Sequence, residues 1–240
     1  MRSLRHGWLL LVTSVSVLVL AAVVVQAASA DGSQLNDITK QVASLQTQIN
    51  KTTASGRTAT PGTLTANADC SYGASSQVFA PWGDGATYAL APQGDFSSTS
   101  GWQFANATLA ASHDRWTPGS LSLRLPGNGQ ATTPPMCVDL TNPTVRFFID
   151  NEAGVKTDLK VSVLYENMQG NIVTLTLAKL TTSSSGWQPS ITIPIGVNIA
   201  STASANKYAA VAFQFKPEGL AAGQYWAIDN VYVDPFLSSR

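Results

Sequence analysis

Four consecutive residues carry the densest set of chemically useful side chains in the chain: His113, Asp114, Arg115 and Trp116. Sugars bind proteins largely by laying an apolar ring face on Trp or Tyr, while a few polar groups fix their orientation. Trp82 lies in a second loop-like context, PWGDG. We therefore expect these five residues to contact a ligand. The alternative is a surface loop whose Trp116 folds back over the domain edge, with Asp114 and Arg115 as a weak exposed pair.

No arrangement of residues predicts catalysis. Once the first thirty residues are set aside, His113 is the sole histidine and has no obvious nucleophile. The chain also lacks a Gly-x-Ser-x-Gly elbow and a phosphate-binding loop. Glycoside hydrolysis needs two acids across one bond, and Glu166 has no clearly paired second acid. We expect no enzymatic activity; a hydrolase with an unrecognised carboxylate pair is the remaining catalytic alternative.

The charge composition excludes a nucleic-acid partner. Among 240 residues, 14 Lys and Arg balance 14 Asp and Glu, and charged residues make up only 12%. A nucleic-acid-binding protein needs a basic patch or stripe, which this balance does not supply.

The N-terminus predicts export. Arg2 and Arg5 precede an uncharged, largely apolar stretch at 8–25, and Ala28-Ser29-Ala30 places small residues where a signal peptidase cuts. Residues 1–30 are thus a cleaved signal peptide or, since the stretch nearly reaches the length of a membrane span, an uncleaved signal-anchor helix. Either reading makes the protein secreted or anchored to the outer face of the cell membrane, and membrane contact then depends on this segment alone.

A short amphipathic helix and a linker are predicted next. In residues 31–52, Leu35, Ile38, Val42, Leu45 and Ile49 follow the 3, 4 spacing of a coiled-coil seam. Two heptads are marginal alone, so this helix either lies singly or forms a weak stalk that makes homo-oligomers. Residues 53–69 are rich in Thr, Ala, Ser and Gly and read as a flexible linker.

Residues 70–237 show the period-two alternation of β-strands. Leu121, Leu123 and Leu125 alternate with polar residues, and similar patterns recur around 159–165, 172–178 and 211–215. Further strands are expected near 88–91, 102–110, 144–149 and 225–233. About nine or ten strands separated by Gly, Pro, Asn and Ser turns predict an all-β sandwich.

Two local features refine this sandwich. Cys70 and Cys137 are the two cysteines, and in an exported chain a disulfide between them is the default, with two free buried thiols as the alternative. In the last strand, Trp226 and Ile228 share one parity while Val231 and Val233 share the other. A β-bulge at Asp229-Asn230 would reconcile the two parities.

Several short motifs resemble a known family. Gly94-Asp95-Phe96 with Gly101-Trp102, and Trp226 to Val231, resemble the opening and closing motifs of galactose-binding-like jelly rolls, which include many carbohydrate-binding modules. The segments 79–84, 137–138 and 232–235 also resemble a group of exported bacterial proteins of unknown function. The resemblance covers about residues 70–235, and it implies a jelly-roll β-sandwich.

The resemblance also implies a structural Ca²⁺ site and no other cofactor. Asp95 and Asp229 match the positions at which such jelly rolls hold the ion, while Ser97 and Asn230 replace two acidic ligands. Ca²⁺ takes six to eight oxygen ligands. The alternative is that Asp95 and Asp229 accept hydrogen bonds from turn and bulge amides.

Together these features predict an exported, non-catalytic module that binds a glycan at the cell envelope. The alternative is a structural or adhesive surface protein, displayed on the 31–52 stalk, that binds another protein or a copy of itself.

Overall fold

The computed structural model describes residues 60–61, 64, 72–111, 121–167, 169–197 and 208–234. All of them belong to one compact unit, residues 59–240. The predicted signal or anchor at 1–30 and the predicted amphipathic helix at 31–52 lie outside the described residues. Within the described part, no helix is long and apolar enough to span a membrane.

The described residues form strands and one short 3-10 helix, as the all-β prediction requires. The strands are β1 Thr60–Pro61, β2 Ser75–Ser76, β3 Tyr88–Leu90, β4 Gln103–Ala105, β5 Thr108–Ala111, β6 Leu121–Pro126, β7 Gln130–Thr132, β8 Met136–Val138, β9 Thr144–Asp150, β10 Thr157–Glu166, β11 Asn171–Thr182, β12 Gln188–Pro189, β13 Ile193–Pro194, β14 Ala209–Glu218 and β15 Tyr225–Val233. The 3-10 helix is Ala80–Trp82.

These strands pair into two antiparallel sheets, which form a jelly-roll β-sandwich. The sheet with the longer strands, which we call the larger sheet, has seven strands in the order β1-β11-β10-β14-β7-β4, with β8 also pairing with β14. The other sheet, which we call the smaller sheet, has eight mostly shorter strands in the order β12-β9-β15-β3-β2; β13 joins β9, and β6 joins β15 and β5. The long strands β10 and β14 lie in the interior of the larger sheet, and β15 lies in the interior of the smaller sheet. Each layer is therefore built around long central strands.

Alternate residues of the long strands form the core between the sheets. Val161 and Val163 of β10 and Phe213 and Phe215 of β14 are all fully buried. Across the gap, the Trp226 indole donates a hydrogen bond to Thr157 Oγ1 at 3.0 Å, which satisfies a polar group that burial would otherwise destabilise. The period-two patterns at 159–163 and 211–215 therefore predicted correctly which residues face inward. The predicted alternation at 172–178 is interrupted, because Thr176 pairs with Ser162 and Ala178 with Val161, which leaves Leu177 out of the register.

The predicted bulge in the last strand is present. Asp229 pairs with Phe148, whereas Tyr232 pairs with Arg146, so two residues of β15 oppose one residue of β9. Asn230 takes a positive φ of 48°, a left-handed conformation that Asn tolerates better than most residues. The extra residue returns Val231 and Val233 to the inward face, where both are fully buried.

The bulge also fixes the opening Gly-Asp-Phe motif. The Ala91 amide donates to the Val231 carbonyl, and the Val231 amide donates to the Gly94 carbonyl at 3.0 Å. A Cβ atom on residue 94 would lie 2.4 Å from the Val231 oxygen. Gly94 is therefore required by this close backbone approach.

Two segments depart from the predicted pattern. The strand expected near 102–110 is two strands, β4 in the larger sheet and β5 in the smaller one, because Asn106 turns the chain at a positive φ of 51°. In the predicted linker 53–69, Thr60–Pro61 pairs with Ile172 and Asn171 at the edge of the larger sheet. Pro suits such an edge, where its missing N–H costs no ladder hydrogen bond.

Candidate functional site

The predicted ligand segment His113-Asp114-Arg115-Trp116 falls within 112–120, outside the described residues. The described residues on either side of it pair with each other: Ala111 at the end of β5 lies opposite Leu121 at the start of β6. Contact of the segment with a ligand stays a prediction.

Trp82, the other predicted ligand contact, lies in an aromatic layer on the outer face of the smaller sheet. This layer consists of Phe79, Tyr88, Phe148 and Tyr232, with Trp82 packed against it. The half-buried Trp82 ring lies 5.6 Å from that of Phe148 and Phe79 lies 4.9 Å from Tyr88, both edge to face. Packing alone thus gives Trp82 a structural role, and its role in ligand binding stays a prediction.

A charged cluster lies beneath the aromatic layer. Asp84 Oδ2 accepts hydrogen bonds from the Tyr88 hydroxyl at 2.7 Å and from the Arg146 guanidinium at 2.5 Å. Arg146, which is 8% exposed, also donates to the Ser190 carbonyl at 2.9 Å and lies over the Phe79 ring. The ion pair with Asp84 joins Arg146 of β9 to the loop that follows Trp82, so the cluster fixes the segment that carries Trp82 onto the sheet.

Two carboxyl groups at this cluster, those of Asp84 and the neighbouring Asp234, have pKa values that are shifted in opposite directions. Burial opposes ionisation of Asp84, but hydrogen bonds from Tyr88 and the Ala86 amide, together with the Arg146 charge, hold its pKa below the ordinary value. Burial and then the Asp84 charge raise the pKa of Asp234 to about 6. The structure thus brings together two motifs far apart in sequence, the PWGDG segment and the end of the last strand.

The two predicted calcium ligands accept hydrogen bonds from nearby groups in their own segments. Asp95 Oδ1 accepts from the Ser97 amide at 3.1 Å and from the Ser97 hydroxyl at 2.8 Å. Asp229 is fully buried, and its Oδ1 accepts from the Asn230 amide at 2.8 Å. The described residues contain no group of three or more His, Cys, Asp or Glu that could hold a metal ion. Calcium binding stays a prediction.

The predicted disulfide involves one described residue. Cys137 is buried in β8 of the larger sheet, whereas Cys70 lies outside the described residues. The Tyr72 hydroxyl donates a hydrogen bond to the Cys137 carbonyl, so the chain passes Cys137 only two residues after Cys70. Pairing of the two sulfur atoms stays a prediction.

The outer face of the larger sheet carries a feature that the sequence did not reveal. Five uncharged polar residues lie directly opposite one another across five strands: Gln103, Thr132, Gln214, Ser162 and Thr176. We call them the polar row. Gln103 and Thr176 at its ends are exposed, whereas Thr132 and Ser162 are only 6% and 2% exposed.

The polar row combines the hydrogen-bonding groups that a polyhydroxylated ligand needs. Gln214 Nε2 donates to Thr132 Oγ1 at 3.5 Å, a long hydrogen bond. Amides and hydroxyls each offer both donors and acceptors. With strands about 4.8 Å apart, the row extends over about 19 Å, which is long enough for several sugar rings.

Charged residues border the polar row on the same face. Lys179 binds Asp158 at 2.9 Å and Glu218 at 3.0 Å, and Lys160 binds Glu218 at 3.0 Å. A hydrogen bond from Thr181, then one from Lys179, lowers the pKa of Asp158. Hydrogen bonds from Lys160 and Lys179 lower the pKa of Glu218. Both acids are therefore ionised partners of lysines.

Comparison with solved structures finds carbohydrate-binding modules among the similar proteins. The CBM22-1 xylan-binding domain from Paenibacillus barcinonensis is 12% identical with a TM-score of 0.41, and the match covers 57% of this chain and 86% of that one. For the CBM22-1 and GH10 modules of a Clostridium thermocellum xylanase complexed with xylohexaose, the values are 11%, 0.43, 57% and 27%. TmCBM61 in complex with β-1,4-galactotriose gives 14%, 0.35, 61% and 97%.

The chain is therefore similar to carbohydrate-binding modules of the jelly-roll type in its fold. Likeness at this level of identity and TM-score carries no information on ligand or activity. No family model matches the sequence, and no curated protein matches it either.

Proposed function

We propose that the sandwich is a non-catalytic, exported carbohydrate-binding module, and that the sugar chain lies across the strands on the polar row. The observation that carries the proposal is the row itself. The row is built wholly from amides and hydroxyls at five successive register positions, and the charged residues of this face lie beside it. Such groups match the donor and acceptor pattern of sugar hydroxyls.

Partial burial of the row supports binding further. Thr132 and Ser162 are nearly covered, while Gln214 is half-buried. Side chains held in this way lose little conformational freedom when a ligand arrives, so more of each hydrogen bond is retained as affinity. Gln103 and Thr176 remain open at the two ends of the row, where a longer chain can enter and leave.

The acids near the row support a binding role and not hydrolysis. A glycosidase needs two carboxyl groups across the bond, one of which has a raised pKa. Asp158 and Glu218 have lowered pKa values and are occupied by lysines. Burial raises the pKa of Asp150 and of Asp234, but Asp150 ends β9 and Asp234 follows β15, both in the smaller sheet. Export is part of the proposal and rests on the apolar segment 8–25.

The test is binding of the mature chain to a panel of soluble polysaccharides, measured by calorimetry together with assays of sugar release. For a polysaccharide that binds, the Gln103→Ala/Gln214→Ala double variant should bind about thirtyfold more weakly, since each of the two lost hydrogen bonds contributes about 1 kcal/mol. Gln188→Ala, in β12 of the smaller sheet, is the control and should bind normally. Unchanged binding by the double variant, or sugar release by the wild type, would contradict the proposal.

A further inference from the structure

Three lysines lie directly opposite one another on the outer face of the larger sheet. Lys160 of β10 pairs with Lys179 of β11 on one side and with Lys216 of β14 on the other. We call these residues the lysine row. Like charges at opposed positions of neighbouring strands repel one another and destabilise the sheet. Three successive lysines therefore need acidic neighbours that offset their repulsion, or they serve a function that requires their charge.

The neighbouring acids do not neutralise all three charges of the lysine row. Two acids, Asp158 and Glu218, face each other one step along the same face, and their ion pairs are made with Lys179 and Lys160. Lys216 is exposed and has no ion pair within the described residues. One positive charge of the lysine row is therefore left without a neighbouring acid.

The position of Lys216 connects this charge to the polar row. Lys216 follows Gln214 by two residues in β14, so both side chains emerge on the same face. Residues spaced in this way are about 6.7 Å apart along a strand. The Lys216 ammonium group thus borders the middle of the polar row, within reach of a substituent on a sugar ring that occupies it.

We infer that the larger sheet recognises an anionic polysaccharide, with the polar row binding sugar hydroxyls and Lys216 binding an acidic substituent. This inference rests on the proposed function and names its ligand class. The substituent is a carboxylate or a sulfate or phosphate ester, since each would make a charge-assisted hydrogen bond with an ammonium group. The exposed pairs at Lys160 and Lys179 are weak, so these lysines can also turn towards a polyanion.

The test compares polymers that differ only in charge. Polygalacturonate is paired with its methyl-esterified form, and dextran sulfate with dextran. The wild-type chain should bind at least one anionic member more tightly than its neutral partner, by about tenfold or more, as expected for one charge-assisted hydrogen bond. This preference should decline as NaCl screens the exposed charge. Preference within the first pair identifies a carboxylate, and preference within the second identifies a sulfate-like ester.

Matched variants assign the preference to the lysine row. Lys216→Gln should reduce the anionic preference several-fold, whereas Lys156→Gln, an equal change of charge at an exposed turn before β10, should retain it. Equal binding of charged and neutral polymers, or full preference in Lys216→Gln, would overturn the inference. If binding is equal but still depends on Gln103 and Gln214, the proposed function stands and this inference alone fails.

Discussion

The outer faces of the two sheets differ in their exposure. The outer face of the smaller sheet is covered by another segment of the chain, whereas that of the larger sheet is open to solvent. On the smaller sheet, Arg146 and Phe148 point away from the main core, yet both are buried because the segment carrying Phe79, Trp82 and Asp84 covers them. On the larger sheet, the outward row of amides and hydroxyls is flanked by lysines and acids in exposed ion pairs.

The contrast separates stability from recognition. Charges on the covered face are desolvated, so losing one partner leaves the other without compensation. Charges on the open face are solvated, so each pair contributes little to folding and its members remain available to a ligand. We therefore expect variants of the covered face to change stability, and variants of the open face to change binding.

The largest expected effect is on the covered face. Arg146→Met should lower the free energy of unfolding by about 3 kcal/mol, because Asp84 keeps its charge but loses its buried partner. Urea denaturation measures this change. Arg124→Met is the matched control, since Arg124 pairs with Glu152 at side-chain exposures of 38% and 28%, and it should cost about 1 kcal/mol or less. Equal losses in the two variants would remove the distinction between the faces.

Trp82→Ala also tests whether the covered face contributes to stability and not to ligand binding. Because the half-buried indole packs on Phe148, we expect a loss of about 2 kcal/mol, below the range for fully buried aromatic residues. Polysaccharide affinity should not change under conditions in which the variant is folded. A loss of affinity at unchanged stability would instead assign Trp82 to the ligand, as the sequence predicted.

Asp234 should make stability depend on pH. Folding raises its pKa from 3.8 to about 6, so its contribution is fully present below pH 4 and is lost as the pH rises through 6. The groups that act on it are Asp84, which repels it, and the Thr144 hydroxyl. Asp234→Asn should therefore stabilise the protein at pH 8 by about 1–2 kcal/mol, allowing for solvent screening.

The measurement for Asp234 is a series of thermal melts between pH 4 and pH 8 on both proteins. At pH 4 the two should melt together, since Asp234 is then protonated in the wild type. A constant difference at every pH would show that the carboxyl group does not titrate in this range.

The smallest expected effect is on the open face. Lys179→Ala removes two ion pairs at once, to Asp158 and to Glu218, yet all three groups are solvated. We expect an unfolding midpoint within error of the wild type in moderate salt. A marked destabilisation would mean that the open face contributes to folding and is not free for binding.

Local patterns predicted the layers but not the pairings. The alternation of Leu121, Leu123 and Leu125 and the parity change around Asp229 are properties of short segments, and both predicted the structure correctly. The position of Lys216 beside Lys160, and of Asp84 beside Arg146, depends on strands and loops that meet across more than fifty residues. A single sequence contains no spacing that reports such contacts.

One local signal for the covered face was present. In β9, the run Val145 to Ile149 is buried at every residue, and its sequence VRFFI has apolar residues at both parities. A strand covered on both faces lacks the alternation of a half-exposed strand. Thr176 in β11 and Gln214 in β14, in contrast, look like residues of any solvated strand, because the polar row forms only when the strands pair.

The central claim is tested most directly by mapping where a polysaccharide binds. Backbone amide shifts of the isotope-labelled protein, followed by NMR during titration with short polygalacturonate fragments, report contact residue by residue. We expect the largest shifts at Gln103, Thr132, Ser162, Thr176 and Gln214, with Lys216 beside them. Shifts centred on Trp82 and Phe148, or saturable binding without shifts on the larger sheet, would contradict the account.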